Sequence, residues 1–135
     1  MVQKSARRLC ALSAAAVLGM VATGFPAARA DVNSETATAA THADLAAGAS
    51  DVAGVHAHLH HALNCLVGPN GKGFDAKELN PCANNGTGAI PDTADAARKK
   101  TLEAAADKAR AGIAATDLKT AQKDASEVGS MVKSK

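Results

Sequence analysis

The chain is predicted to fold as an all-α protein, a small up-down helical bundle of three helices, or four, with a disulfide-pinned Gly/Pro-rich loop. Three observations carry that prediction. Apolar residues recur at alternating spacings of three and four along two stretches, the repeat that places them on one helical face. No segment shows the apolar/polar alternation of a half-buried strand. Two cysteines, Cys65 and Cys82, bracket a stretch dense in glycine, proline and asparagine.

Residues 1–30 read as an export signal rather than as part of the fold. Lys4, Arg7 and Arg8 form a positive start, Leu9 to Phe25 carries no charge, and Ala28-Arg29-Ala30 offers small residues at the two positions a signal peptidase reads. Cleavage is expected after Ala30, which leaves 31–135 as a helical domain in the periplasm or outside the cell. An uncleaved anchor is the rival reading. The apolar run is short for a span and leads into a cleavage site, so the exported chain is expected not to cross the membrane.

Removal of this segment reverses the charge balance. The chain holds 15 Lys+Arg and 13 Asp+Glu. Four of the basic residues, Lys4, Arg7, Arg8 and Arg29, lie in the signal, so 11 face 13 in the remainder. With no dense basic stripe, and no tyrosine or tryptophan for base stacking, nucleic acid is not an expected partner. Cys10 leaves with the signal as well. The two cysteines that remain, Cys65 and Cys82, are expected to pair in an oxidising compartment. Closing a loop of that size stabilises a fold by about 3 kcal/mol in the chain-entropy view.

Along the domain, Asp31 to Ala40 lacks large apolar residues and is expected to begin as a frayed tail. From His42 a seam runs through Leu45, Ala49, Val52, His56, Leu59, Leu63 and Leu66, which predicts one long helix over 38–67. A break near Gly48-Ala49-Ser50 is the alternative, because each glycine costs about 1 kcal/mol against alanine inside a helix. Gly68-Pro69 ends the helix. The connection over 68–91 carries five glycines and three prolines. Connections of that length without regular structure are uncommon and are often functional. Asp92 is the expected N-cap of a helix over 92–115, whose apolar positions are mostly alanine apart from Leu102 and Ile113. Thr116 or Asp117 caps a last helix over 117–133 with a seam of Leu118, Ala121, Ala125, Val128 and Val132. The short turn between these two makes them an antiparallel hairpin.

Four of the five histidines fall within six residues, at His56, His58, His60 and His61. Neutral imidazoles four apart on a helix converge within one turn and can chelate a transition ion. His56 and His60 form such a pair and are the first expected ligands. His58 and His61 follow on the other side, with Cys65 as a third donor only if it is reduced. On a continuous helix His42 lies too far up the stripe to join His56. The bland reading sets His56 in the core and leaves the others as solvated residues near a helix end. Sharper motifs are absent. There is no Cys-x-x-Cys-His for covalent haem and no His-Glu-x-x-His zinc-protease helix. Gly-Pro-Asn-Gly-Lys-Gly follows a helix and lacks the Gly-Lys-Ser/Thr of a phosphate loop. No nucleophile–base set stands out, so the chain is not read as an enzyme.

Two resemblances add to this. The block HAHLHHALNCLVGPNGKGFDAKELNPC, with GAIPD after it, resembles a signature of small exported bacterial helical proteins that are uncharacterised. The signal followed by histidine-bearing, Ala-rich helices ending in ARAGIAATDLKTAQKDA is similar to the periplasmic small metal-binding protein family. That likeness implies a compact helical bundle that takes up divalent ions, copper among them. Here histidines cluster once and do not recur after His61, which implies one or two sites rather than high-capacity storage. The leading expectation is a periplasmic protein that binds Cu(II), Zn(II) or Ni(II) through His56, His60, His58 and His61. The alternative is a non-enzymatic interaction or stress-related bundle whose cysteine loop docks an unidentified protein. An apolar seam left uncovered by so few helices is compatible with a homodimer.

Overall fold

The computed structural model describes residues 30–134, so the expected export signal lies outside the described residues except for Ala30. Among the described residues five helices form: α1 (Val32–Ala47), α2 (Val52–Val67), α3 (Ala89–Asp92), α4 (Ala96–Ala114) and α5 (Leu118–Lys133). Four of them are substantial, and no strand occurs among the described residues. Each substantial helix starts on an aspartate that accepts a backbone N–H two or three residues into the helix. Asp31 takes Ser34, Asp51 takes Gly54, Asp95 takes Arg98 and Asp117 takes Thr120.

Three sequence expectations change here. The single helix over 38–67 is two helices, because Asp51 adopts an extended conformation and caps a new start after Gly48. The expected frayed tail is the first turns of α1, since Asp31 satisfies a free N–H and the chain behind it docks on the loop. The helix expected from Asp92 starts at Ala96, with Asp95 as its cap. Asp92 sits in the one-turn α3, where its carboxylate instead accepts from the Thr87 N–H and hydroxyl. Breaking the long helix also shifts the buried stripe. Leu45 is 48% exposed, and α1 buries Glu35, Ala39, Ala40, Ala43 and Ala46 in its place.

α1 packs on α2 and α5, and α4 packs on α5 and α2, so the four helices close a ring with α1 and α4 on its diagonal. The core that fills the ring is built mostly of alanine, with Leu59, Leu63, Leu66 and Leu102 as its largest buried apolar side chains. Gly112 of α4 packs directly against Leu59 of α2. A Cβ there would stand 2.6 Å from Leu59 Cδ1 and 3.1 Å from Asp124 Cβ. Arg98 fastens the end of α5 by donating to the carbonyls of Met131, Val132 and Ser134.

The cysteine loop is tied to α2 rather than free. Cys65 and Cys82 form a disulfide. The fully buried Asn64 donates to the carbonyls of Asp75 and Leu79 at 3.0 and 3.1 Å and accepts the Asp75 N–H at 3.0 Å. Gly68 ends α2 at φ +67° and runs directly against Thr87 and Gly88. A Cβ on Gly68 would meet the Thr87 carbonyl oxygen at 1.6 Å, so only glycine permits that crossing. No helix among the described residues is long and apolar enough to cross a membrane.

Candidate metal centre

The break between α1 and α2 folds the chain back on itself, and its consequence is chemical. α1 and α2 become neighbours, and His42 of α1 faces the histidine-rich turn of α2. His42 Nδ1 and His58 Nδ1 lie 3.4 Å apart. His61 completes the group, with its ring centroid 5.1 Å from that of His42 and 5.7 Å from that of His58. One ring nitrogen from each of His42, His58 and His61 lies within 4.8 Å of the other two, and all three residues are half-buried. Two ligand nitrogens bound tetrahedrally at 2.0–2.1 Å stand about 3.4 Å apart. The His42–His58 pair already has that spacing, with a ring nitrogen of His61 within 4.8 Å of both.

The environment favours the form that ligates. Burial, with the His61 and His58 rings as second and third causes, lowers the His42 pKa. Burial and His58 lower that of His61, partly offset by Glu78. Both imidazoles are therefore held neutral, as a metal ligand must be. His61 Nδ1 is buried without a hydrogen-bond partner, while His61 Nε2 faces Glu78 Oε2 at 3.6 Å. A carboxylate beside a ligating imidazole fixes its ring orientation and tautomer, and Glu78 stands where it can do this for His61. Glu78 rides on the segment that Asn64 and the disulfide hold against α2, so the loop reaches the histidines through this contact.

The other histidines are placed differently. His56 Nε2 donates to the Ala115 carbonyl at 2.9 Å and so links α2 to the α4–α5 turn. His60 Nδ1 is buried without a partner, but His60 does not join a group of three possible ligands. Of the residues singled out from sequence, His58 and His61 thus meet, His42 joins them as the third member in place of Cys65, and His56 and His60, expected as a separate pair, stand outside the group. Cys65 is in the disulfide and offers no thiolate. No family model, curated protein or solved structure matches the chain.

Proposed function

We propose that this is an exported, non-enzymatic helical protein that binds one divalent transition ion, Cu(II), Zn(II) or Ni(II), through His42, His58 and His61. The observation that carries this is the 3.4 Å approach of two Nδ1 atoms from different helices, with a ring nitrogen of His61 within 4.8 Å of both. Nitrogen-only donors suit these borderline ions, and the affinity order among them favours copper. The charged start, uncharged run and Ala28-Arg29-Ala30 of the first thirty residues support export to an oxidising compartment, where the disulfide would persist. The likeness to periplasmic small metal-binding proteins agrees with both points.

Calorimetric titration of the untagged protein with Cu(II) and Zn(II) tests the reading. One ion per chain is expected. His42→Ala and His58→Ala each should weaken binding at least tenfold, and His56→Ala should leave it within twofold. Equal affinity in wild type and His42→Ala would refute the site. A docking role for the cysteine loop is the second reading, favoured by Leu79, which is 60% exposed on that loop.

A further inference from the structure

The start of α1 holds a group that the metal site does not use. Glu35 is completely buried. Its Oε1 accepts the Gly88 N–H at 3.0 Å, but its Oε2 meets no donor. The charges that act on it, those of Asp92 and Asp31, are both negative. A Cβ built on Gly86 would lie 2.2 Å from Asp92 Oδ2, 2.7 Å from Glu35 Oε1 and 3.2 Å from Ala30 Cβ. Two carboxyl groups and the Ala30 side chain therefore surround one point. The Asp31 N–H donates to the carbonyl of Asn85, the residue before Gly86, at 2.8 Å. A buried carboxyl beside like charges either keeps its proton, shared with Asp92, or takes a cation, because desolvation without a counter-charge is costly.

We propose that cleavage after Ala30 supplies that cation: the α-ammonium group released at Asp31 is the counter-charge of the Glu35–Asp92 carboxyl pair, so that processing completes the fold. The proposal rests on reading residues 1–30 as a cleaved export signal. Hydrolysis breaks the Ala30–Asp31 C–N bond and forms a C–O bond to water. The water oxygen leaves with Ala30 as its carboxylate, and both water protons go to the Asp31 nitrogen, which becomes –NH3+. One N–H keeps the Asn85 carbonyl. Departure of Ala30 vacates the position beside Gly86, and the other two N–H groups turn toward the carboxylates. Glu35 is one helical turn from Asp31, and its own N–H donates to the Asp31 carbonyl at 2.9 Å, which keeps the two residues in register.

The sign of one comparison separates this arrangement from an ordinary helix start. An ammonium group at a helix N-terminus opposes the helix dipole, so acetylating it ordinarily stabilises. Here acetylation should destabilise. The full-length chain is exported from a bacterial host, and the intact mass of the purified product identifies its first residue. Half of that product is then acetylated selectively at the α-amine, and both halves are unfolded in urea at pH 7.5. A start at Asp31 is expected, with a folding equilibrium constant about tenfold or more lower after acetylation. That loss should shrink to under threefold in Glu35→Gln, where the fully buried carboxylate is gone and only the Thr87-bonded Asp92 remains. In the free-amine protein the Asp31 amine should titrate about one unit above its ordinary value near 8. A start at any other residue refutes the cleavage reading and the proposal with it. A start at Asp31 with acetylation neutral or stabilising, or with an equal loss in Glu35→Gln, refutes the counter-charge and leaves the cleavage reading standing.

Discussion

Leu59 and Gly112 should behave as one packing unit, so that substituting both costs less than the sum of the two changes. Leu59 is fully buried in the middle of α2, flanked by His58 and His60, and its Cδ1 rests where a Gly112 Cβ would lie, 2.6 Å away. Leu59→Ala leaves a cavity in a core whose alanine neighbours have no side chain long enough to fill it. The loss should be about 3–4 kcal/mol. Gly112→Ala sets a methyl group against Leu59 and against Asp124 Cβ at 3.1 Å, and overpacking of this kind costs about 1–3 kcal/mol. The gain of about 1 kcal/mol in helix propensity offsets part of that, for a net loss of about 1 kcal/mol. In the double variant the Leu59 clash is gone and the new methyl occupies part of the cavity. It should retain about 1–2 kcal/mol more stability than additivity predicts. Urea unfolding of the four metal-free proteins at one pH measures the cycle. A coupling below about 0.5 kcal/mol would show that α2 and α4 do not meet through this pair.

Three other changes probe the loop and the buried acid. Burial, assisted by Asp92 and Asp31 and opposed by the Gly88 N–H, pushes the Glu35 carboxyl up to about 7 in the chain with its Ala30–Asp31 amide intact. Its folded value thus exceeds its unfolded one, so its contribution is complete below about pH 4.5 and is lost as pH rises through about 7, by about 3 kcal/mol. Glu35→Gln should flatten stability across that window in urea titrations, and an unchanged profile would contradict the assignment. Asn64→Ala strands the Asp75 amide and the carbonyls of Asp75 and Leu79 and should cost about 2–4 kcal/mol by urea unfolding. Because it frees Glu78, it should also lower ion affinity at His61 severalfold in calorimetry. Reduction of the Cys65–Cys82 disulfide should lower stability by about 3 kcal/mol, read from the denaturation midpoint with and without reductant.

What could be seen in the sequence followed from local rules. Ala121, Ala125, Val128 and Val132 are all buried, as their spacing requires, and Asp117 caps α5. Gly68 closes α2, and Cys65 pairs with Cys82. Two aspartates three apart, Asp92 and Asp95, compete for one helix start, and the choice between them turns on Thr87, a partner that only the folded loop brings near. Glu35 gave no sign of burial because what covers it is the loop fifty residues onward. His42 was the costliest miss. A helix-wheel argument measures distance along one axis, and it set His42 apart from the cluster as long as the helix was taken as continuous. Gly48-Ala49-Ser50 followed by a capping Asp51 was the available signal. Once the chain turns there, residues equidistant from the turn face each other, and 42 and 58 are centred on 50.

The alanine core has a thermal consequence. Of the 21 buried apolar residues among the described ones, 11 are alanines, which give up no rotamer freedom on folding but also withdraw little apolar area from water. The heat-capacity increment of unfolding scales with that area, so it should be small for a chain of this length. A small increment bends the stability curve gently, which makes it broad and low rather than sharply peaked. Cross-linking by the disulfide acts on the unfolded chain and does not depend on apolar hydration. The fold therefore loses little on either side of its optimum temperature, and cold should weaken it less than a bundle of the same size filled with leucine and phenylalanine.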